Sequence, residues 1–86
     1  MPKKRTRPVK YPTIQALGAN IEAVRKYMGL TQAEFGEMIG VDKYTICSWE
    51  CSRTAPSAKY IIMICYKCGV SADDLLGVPR KWVKIK

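Results

Sequence analysis

The stretch QAEFGEMIGVDKYTICSWEC, Gln32 to Cys51, decides the architecture. Immediately before it, Thr31-x-x-Glu34 has the form of a capping box, in which each residue's side chain satisfies the other's backbone N–H. A helix therefore opens near Gln32. It runs to Ile39, burying Phe35 and Ile39, and Gly40 ends it. Asp42 is a suitable N-cap for a second helix, about Lys43 to Cys51. There Ile46 and Trp49, three residues apart, mark the inward face. Lys43, Tyr44, Cys47 and Ser48 fall on the outward face, and all are small, polar or able to hydrogen-bond.

Working outward, Leu17, Ile21, Val24 and Met28 recur at spacings of four, three and four. This stripe predicts a first helix from about Ile14 to Met28, closed by Gly29. After a loop over Ser52–Pro56, Ser57 is placed to cap a helix from Ala58 to Cys68. Its core candidates are Ile61, Ile62, Ile64, Cys65 and Cys68, and Gly69 stops it. Ser71-x-x-Asp74 then caps a short helix that carries Leu75 and Leu76 and ends at Gly77. Pro79 prevents continuation. Beyond it, Trp82, Val83 and Ile85 alternate with lysines, a pattern open to either a short strand or a loose end. The predicted fold is all-α, a compact five-helix bundle. The organisation is a basic arm over 1–12, one domain over 13–78 and a basic tail over 79–86.

The segment Gln32 to Cys51 resembles the helix-turn-helix of the Cro/repressor-type (XRE) regulator family. The similarity extends from about Leu17 to Gly77, taking in LGANIEAVRKYMGLTQ before the motif and APSAKYIIMICYKCGVSADDLLG after it. Each key position has a physical reason. Phe35 and Trp49 anchor the two helices. Gly36 is small so that the second can cross the first closely. Gly40 takes the left-handed backbone of the tight turn. Ile46 fills the wedge between them. The resemblance also implies an ion pair between Arg25 and Glu50, holding the second helix against the first helix of the bundle. Two departures stand out. Gly36 replaces the usual Ala, at a cost of ~1 kcal/mol in helix propensity. Ser52 stands where a Gly is common.

The resemblance implies a lambda-repressor-like DNA-binding domain. In this docking mode the helix from Lys43 lies in the major groove, where all four base pairs are distinguishable. The implied base-contact residues are Lys43, Tyr44, Cys47 and Ser48. Gln32, Arg53, Thr54 and Lys59 are the implied phosphate contacts, which position without specifying sequence. The expected function is sequence-specific binding of double-stranded DNA by a small transcriptional regulator, a repressor by preference. Such regulators commonly pair, so a homodimer is the expected assembly, with the fifth helix and Trp82–Ile85 as the apolar surfaces left for it. The alternative is a protein-interaction module, such as an antitoxin or accessory subunit, since one fold serves several functions.

Charge agrees with a polyanionic partner. Of the net +8, residues 1–10 carry +5, residues 80–86 carry +4 and the segment between carries −1. Basic tails suit DNA because neutralised phosphates release counterions. No histidine is present, which removes the commonest general base and metal ligand. An enzyme is therefore not expected, nor a small-molecule ligand. Cys47-x3-Cys51 and Cys65-x2-Cys68 have the spacing of zinc thiolate pairs. Cys65 and Cys68, however, fall on an inward stripe, and one ion does not easily gather both pairs in this fold. A redox role for Cys65-x-x-Cys68 is disfavoured because the pair precedes Gly69 at a helix C-terminus, where the dipole opposes thiolate. No metal or other cofactor is expected. No apolar run approaches the ~20 residues needed to cross a bilayer, so no membrane partner is expected. The expected location is the cytoplasm, for a bacterial or phage-encoded protein.

Overall fold

The hydrophobic periodicities resolve into five α-helices: α1 (Ile14–Tyr27), α2 (Gln32–Ile39), α3 (Lys43–Glu50), α4 (Ala58–Cys68) and α5 (Ala72–Leu76). They are seen in a computed structural model that describes residues 13–78. No strand occurs among the described residues. The basic arm, the tail and the Trp82–Ile85 surface lie outside them.

Local chemistry sets the helix ends. Thr13 Oγ1 accepts from the Ala16 N–H at 3.0 Å and opens α1. The capping box of α2 is complete: Glu34 N–H donates to Thr31 Oγ1 at 3.0 Å, and Thr31 N–H donates to Glu34 Oε1 at 2.9 Å. Asp42 caps α3 by accepting at Oδ1 from both the N–H and the hydroxyl of Thr45, each at 2.9 Å. Ser71 caps α5 in the same way, accepting from Asp74 N–H at 3.1 Å. Ser57 has the extended backbone of an N-cap but makes no side-chain capping bond to α4, contrary to its predicted role. The turn between α2 and α3 is closed by Gly40 at φ +101°, a left-handed conformation costly for any residue with a Cβ. From there both Gly40 and Val41 N–H groups donate back to the Gly36 carbonyl, at 2.7 and 2.9 Å.

Leu17, Ile21, Phe35, Ile39, Ile46, Trp49, Ile64 and Leu75 form one buried core. Each such side chain contributes about 1.5–3 kcal/mol by leaving water. Two expectations fail. Ile62 is not core but 66% exposed, because Ile61 and Ile64 already take the inward side of α4 and Ile62 falls on the other. Met28 is the C-cap of α1, exposed rather than buried along its stripe. Cys65 and Cys68 are half-buried and pack against the core as small apolar groups.

Two close approaches set the packing. A Cβ on Gly36 would lie 2.5 Å from the Val41 carbonyl oxygen, so the turn into α3 folds directly over α2. A Cβ on Gly18 would lie 2.5 Å from the Trp49 carbonyl oxygen, so α1 meets the end of α3 backbone to backbone. Asn20 ties the far end of the domain, donating from Nδ2 to the Asp74 and Leu75 carbonyls at 3.2 and 2.9 Å.

Candidate nucleic-acid interface

The eight residues of α3 divide cleanly between two faces. Ile46 and Trp49 are buried, and the Trp49 ring packs against Tyr60 of α4 with centroids 5.6 Å apart. Lys43 and Tyr44 are exposed, Tyr44 to 72%, while Cys47 and Ser48 are half-buried. At positions i, i+1, i+4 and i+5 these four share one side of the helix. The Lys43 ammonium lies 5.4 Å from the centre of the Tyr44 ring, a cation–π contact that gathers the two into one projecting unit. Of the outward ridge read from the sequence, Lys43 and Tyr44 stand on the surface and Cys47 and Ser48 flank them half-buried.

The remaining predicted residues are spread more widely. Arg53 and Thr54 are exposed in the loop that follows α3. Their backbone N–H groups donate to the Ser48 carbonyl at 2.9 and 3.3 Å, folding this loop back over the end of the helix. The loop turns at Ser52, which adopts φ +64° where the family commonly has Gly. A left-handed non-glycine residue costs about 1–2 kcal/mol. Lys59 is exposed on α4, its ammonium 5.1 Å from the Tyr60 ring centre. Gln32 is the first residue of α2 and only half-exposed.

A part-buried polar cluster fixes α3 from behind. Arg25 donates from Nε to Glu50 Oε2 at 2.6 Å and from Nη2 to Oε1 at 3.1 Å. Its Nη1 donates to the Leu30 carbonyl at 2.9 Å. Gln32 Nε2 donates to Glu50 Oε1 at 3.0 Å. The Arg25 and Glu50 side chains are 11% and 5% exposed. The hydrogen bond and charge of Glu50 hold the Arg25 guanidinium above its ordinary pKa, against the opposing effect of burial. The Glu50 carboxylate therefore joins α1, α2 and α3, and Arg25 extends the cluster to the α1–α2 loop. Gln32, read only as a phosphate contact, has a second role in this cluster. One amide hydrogen is committed to Glu50, leaving the other hydrogen and the carbonyl oxygen. Neither that bond nor the Gly18 contact has a signal in the sequence.

Among the described residues no helix is long and apolar enough to cross a membrane. The chain matches the family model for a helix-turn-helix over residues 21–75. It is 36% identical over 62 residues to the repressor protein C2 of Salmonella phage P22, covering 72% of this chain and 29% of that protein. It is 34% identical over 61 residues to the antitoxin PezA of Streptococcus pneumoniae, covering 71% of this chain and 39% of PezA. The chain thus spans less than two fifths of these curated relatives. Among solved structures, the P22 c2 repressor in complex with a synthetic operator superposes with a TM-score of 0.66 at 35% identity, over 70% of this chain and 91% of that one. The hypothetical transcription factor NHTF from Neisseria gives 0.69 at 25% identity, over 94% and 98%. With its turn glycine, its wedge and its Arg25–Glu50 pair in place, the chain belongs to the helix-turn-helix family of the Cro/repressor (XRE) type.

Proposed function

We propose that this protein is a transcriptional regulator, a repressor by preference, that binds duplex DNA sequence-specifically through α3. One observation carries the reading. The side chains opposite the buried Ile46 and Trp49 form an outward ridge, Lys43 and Tyr44 exposed and Cys47 and Ser48 half-buried, and the helix beneath them is locked by the Glu50 cluster. A rigid, pre-positioned reader loses little entropy on binding. Lys43 donates to guanine O6 or N7, and Tyr44 and Cys47 pack on thymine methyls or reach phosphate. Ser48 donates or accepts. Gln32, at the start of α2, grips a phosphate together with Arg53, Thr54 and Lys59. The basic residues of 1–10 and 80–86 add sequence-independent attraction. The operator-bound P22 relative supports this docking mode. The proposed DNA-binding unit is residues 13–78, working in the cytoplasm of a bacterium, encoded there or by a phage, and pairing as a homodimer on a palindrome. No catalytic role is proposed.

Selection of bound sequences from random duplex DNA tests the reading. A recurring motif of two half-sites about one helical turn apart supports it. Enrichment of no motif, with binding that depends only on salt, overturns it. A second reading, a role as an antitoxin, is favoured by the match to PezA. Stable co-purification with a toxin-like protein distinguishes that role.

A further inference from the structure

The sulfurs of Cys47 and Cys51 lie 3.8 Å apart on the surface of α3 and its C-cap, Cys51 exposed and Cys47 half-exposed. Neither belongs to the buried core. We propose that this pair is a dithiol capture site for a soft, thiophilic atom that is satisfied by two sulfurs, and that the bridged adduct disables the face of α3.

Direct closure to a disulfide fits poorly. Residues i and i+4 of a helix keep their Cβ atoms about 5–6 Å apart, whereas a disulfide wants about 3.5–4.5 Å. Forming one distorts the last turn of α3. A bridging atom removes the difficulty. Two bonds of about 2.3 Å each, the length of a thiolate–metal bond, reach up to ~4.6 Å and so span 3.8 Å with the helix intact. No cluster of three or more metal-ligating side chains occurs among the described residues. The pair therefore suits an atom content with two thiolates rather than a tetrahedral ion needing four. Trivalent arsenic bearing one organic group meets that requirement. In the reaction, R–As=O and two S–H groups give R–As(S)₂ and one water. Two As–S bonds form, the As=O bond breaks, both thiol protons leave with the oxygen, and arsenic stays trivalent.

Lys43, Cys47 and Cys51 follow one another at i, i+4 and i+8, so an adduct stands beside the proposed base reader. The effect on DNA rests on the DNA-binding reading above, whereas the capture does not. Cys65 and Cys68 pack against the core, which makes them the internal control.

The test uses the full chain and phenylarsine oxide at equimolar concentration. The expected product is one arsenical per chain, with loss of one water and of two titratable thiols, resistant to a monothiol and reversed by a dithiol. C65S/C68S should retain it, while C47S and C51S should each abolish it. Circular dichroism confirms that the single variants remain helical. An adduct that survives in C47S or C51S, or no bridged adduct in the unaltered chain, overturns the site. In a parallel arm, the adduct should weaken binding to the selected duplex about ten-fold or more, consistent with loss of one bidentate base contact, with C51S insensitive to the arsenical. Unchanged affinity of the adduct overturns the disabling effect. Failure of the unmodified chain to bind DNA instead overturns the proposed function and leaves the capture result standing by itself.

Discussion

Arg25 meets Glu50 through two hydrogen bonds, Nε to Oε2 at 2.6 Å and Nη2 to Oε1 at 3.1 Å, with both side chains almost sealed from water. A buried pair of this kind does not by itself imply net stabilisation, because two charges must be desolvated to make it. Breaking it is another matter. Removing either partner leaves the other charged and buried. Its value here is positional, since the same carboxylate also accepts from Gln32 and so fixes the start of α2 against the end of α3.

Glu50→Ala is expected to cost about 3–5 kcal/mol, the usual penalty for leaving one buried charge alone. Glu50→Gln keeps a carbonyl to accept from Arg25 and should retain more of the helical fold, though not full stability. Urea unfolding of both variants checks the order. Equal stability of Glu50→Ala and the parent chain would contradict a positional role for the cluster.

Much of this arrangement was legible in advance, and the parts that were not share a cause. Helix ends follow from local chemistry: Thr31 with Glu34, Asp42 with Thr45, and Gly40 at the turn all act within a few residues. The inward face of α3 follows from the spacing of Ile46 and Trp49. What escaped was tertiary. Gly18 is small because the Trp49 carbonyl, 31 positions along the chain, occupies the space of its missing Cβ. Gln32 reaches Glu50, and Asn20 closes the end of α5, through contacts that no periodicity encodes. Ile62 faces solvent against expectation because an unbroken apolar run in α4 does not say which side faces in. The four ridge residues were legible as a surface, and their roles toward DNA rest on the family resemblance.

The two crowded glycines give a prediction of sign. Gly36→Ala gains ~1 kcal/mol of helix propensity. Its methyl would meet the Val41 carbonyl at 2.5 Å, a backbone atom held inside the turn. Overpacking of this kind costs about 1–3 kcal/mol, so a net loss is expected, although Ala is usual at this position in the family. Gly18→Ala, against the Trp49 carbonyl, should lose stability for the same reason. Midpoints of chemical denaturation decide both, and an increase in either would show that the helices separate at little cost.

Asp42 predicts a pH dependence. The N–H of Thr45, and then its hydroxyl, hold the Asp42 carboxyl below its ordinary pKa in the folded chain. A depressed folded pKa contributes stability that is present above the unfolded value, about 3.9, and is lost as pH falls through the folded value. Asp42→Ala should therefore melt below the parent near neutral pH, and the gap should narrow below about pH 4. Asp42→Asn, which caps without titrating, should show no such convergence from this site. Thermal melts across that range provide the comparison.

Arg53 follows α3 in an exposed loop, where its charge is available to the phosphate backbone. Arg53→Ala should weaken binding to every duplex by a similar factor and reduce the salt-dependence slope by about one. Gel-shift titrations over a range of salt measure both. An unchanged slope would remove Arg53 from the interface.

The most direct measurement is the affinity of Lys43→Ala for the selected duplex and for each of its single-base-pair variants. Lys43 stands exposed at the start of α3, on the ridge opposite Ile46 and Trp49. The variant should lose discrimination of about 1–3 kcal/mol at one base-pair position per half-site while keeping its preferences elsewhere. An equal loss across all sequences, with every preference intact, would mean that Lys43 touches only phosphate and that the ridge of α3 does not read bases through it.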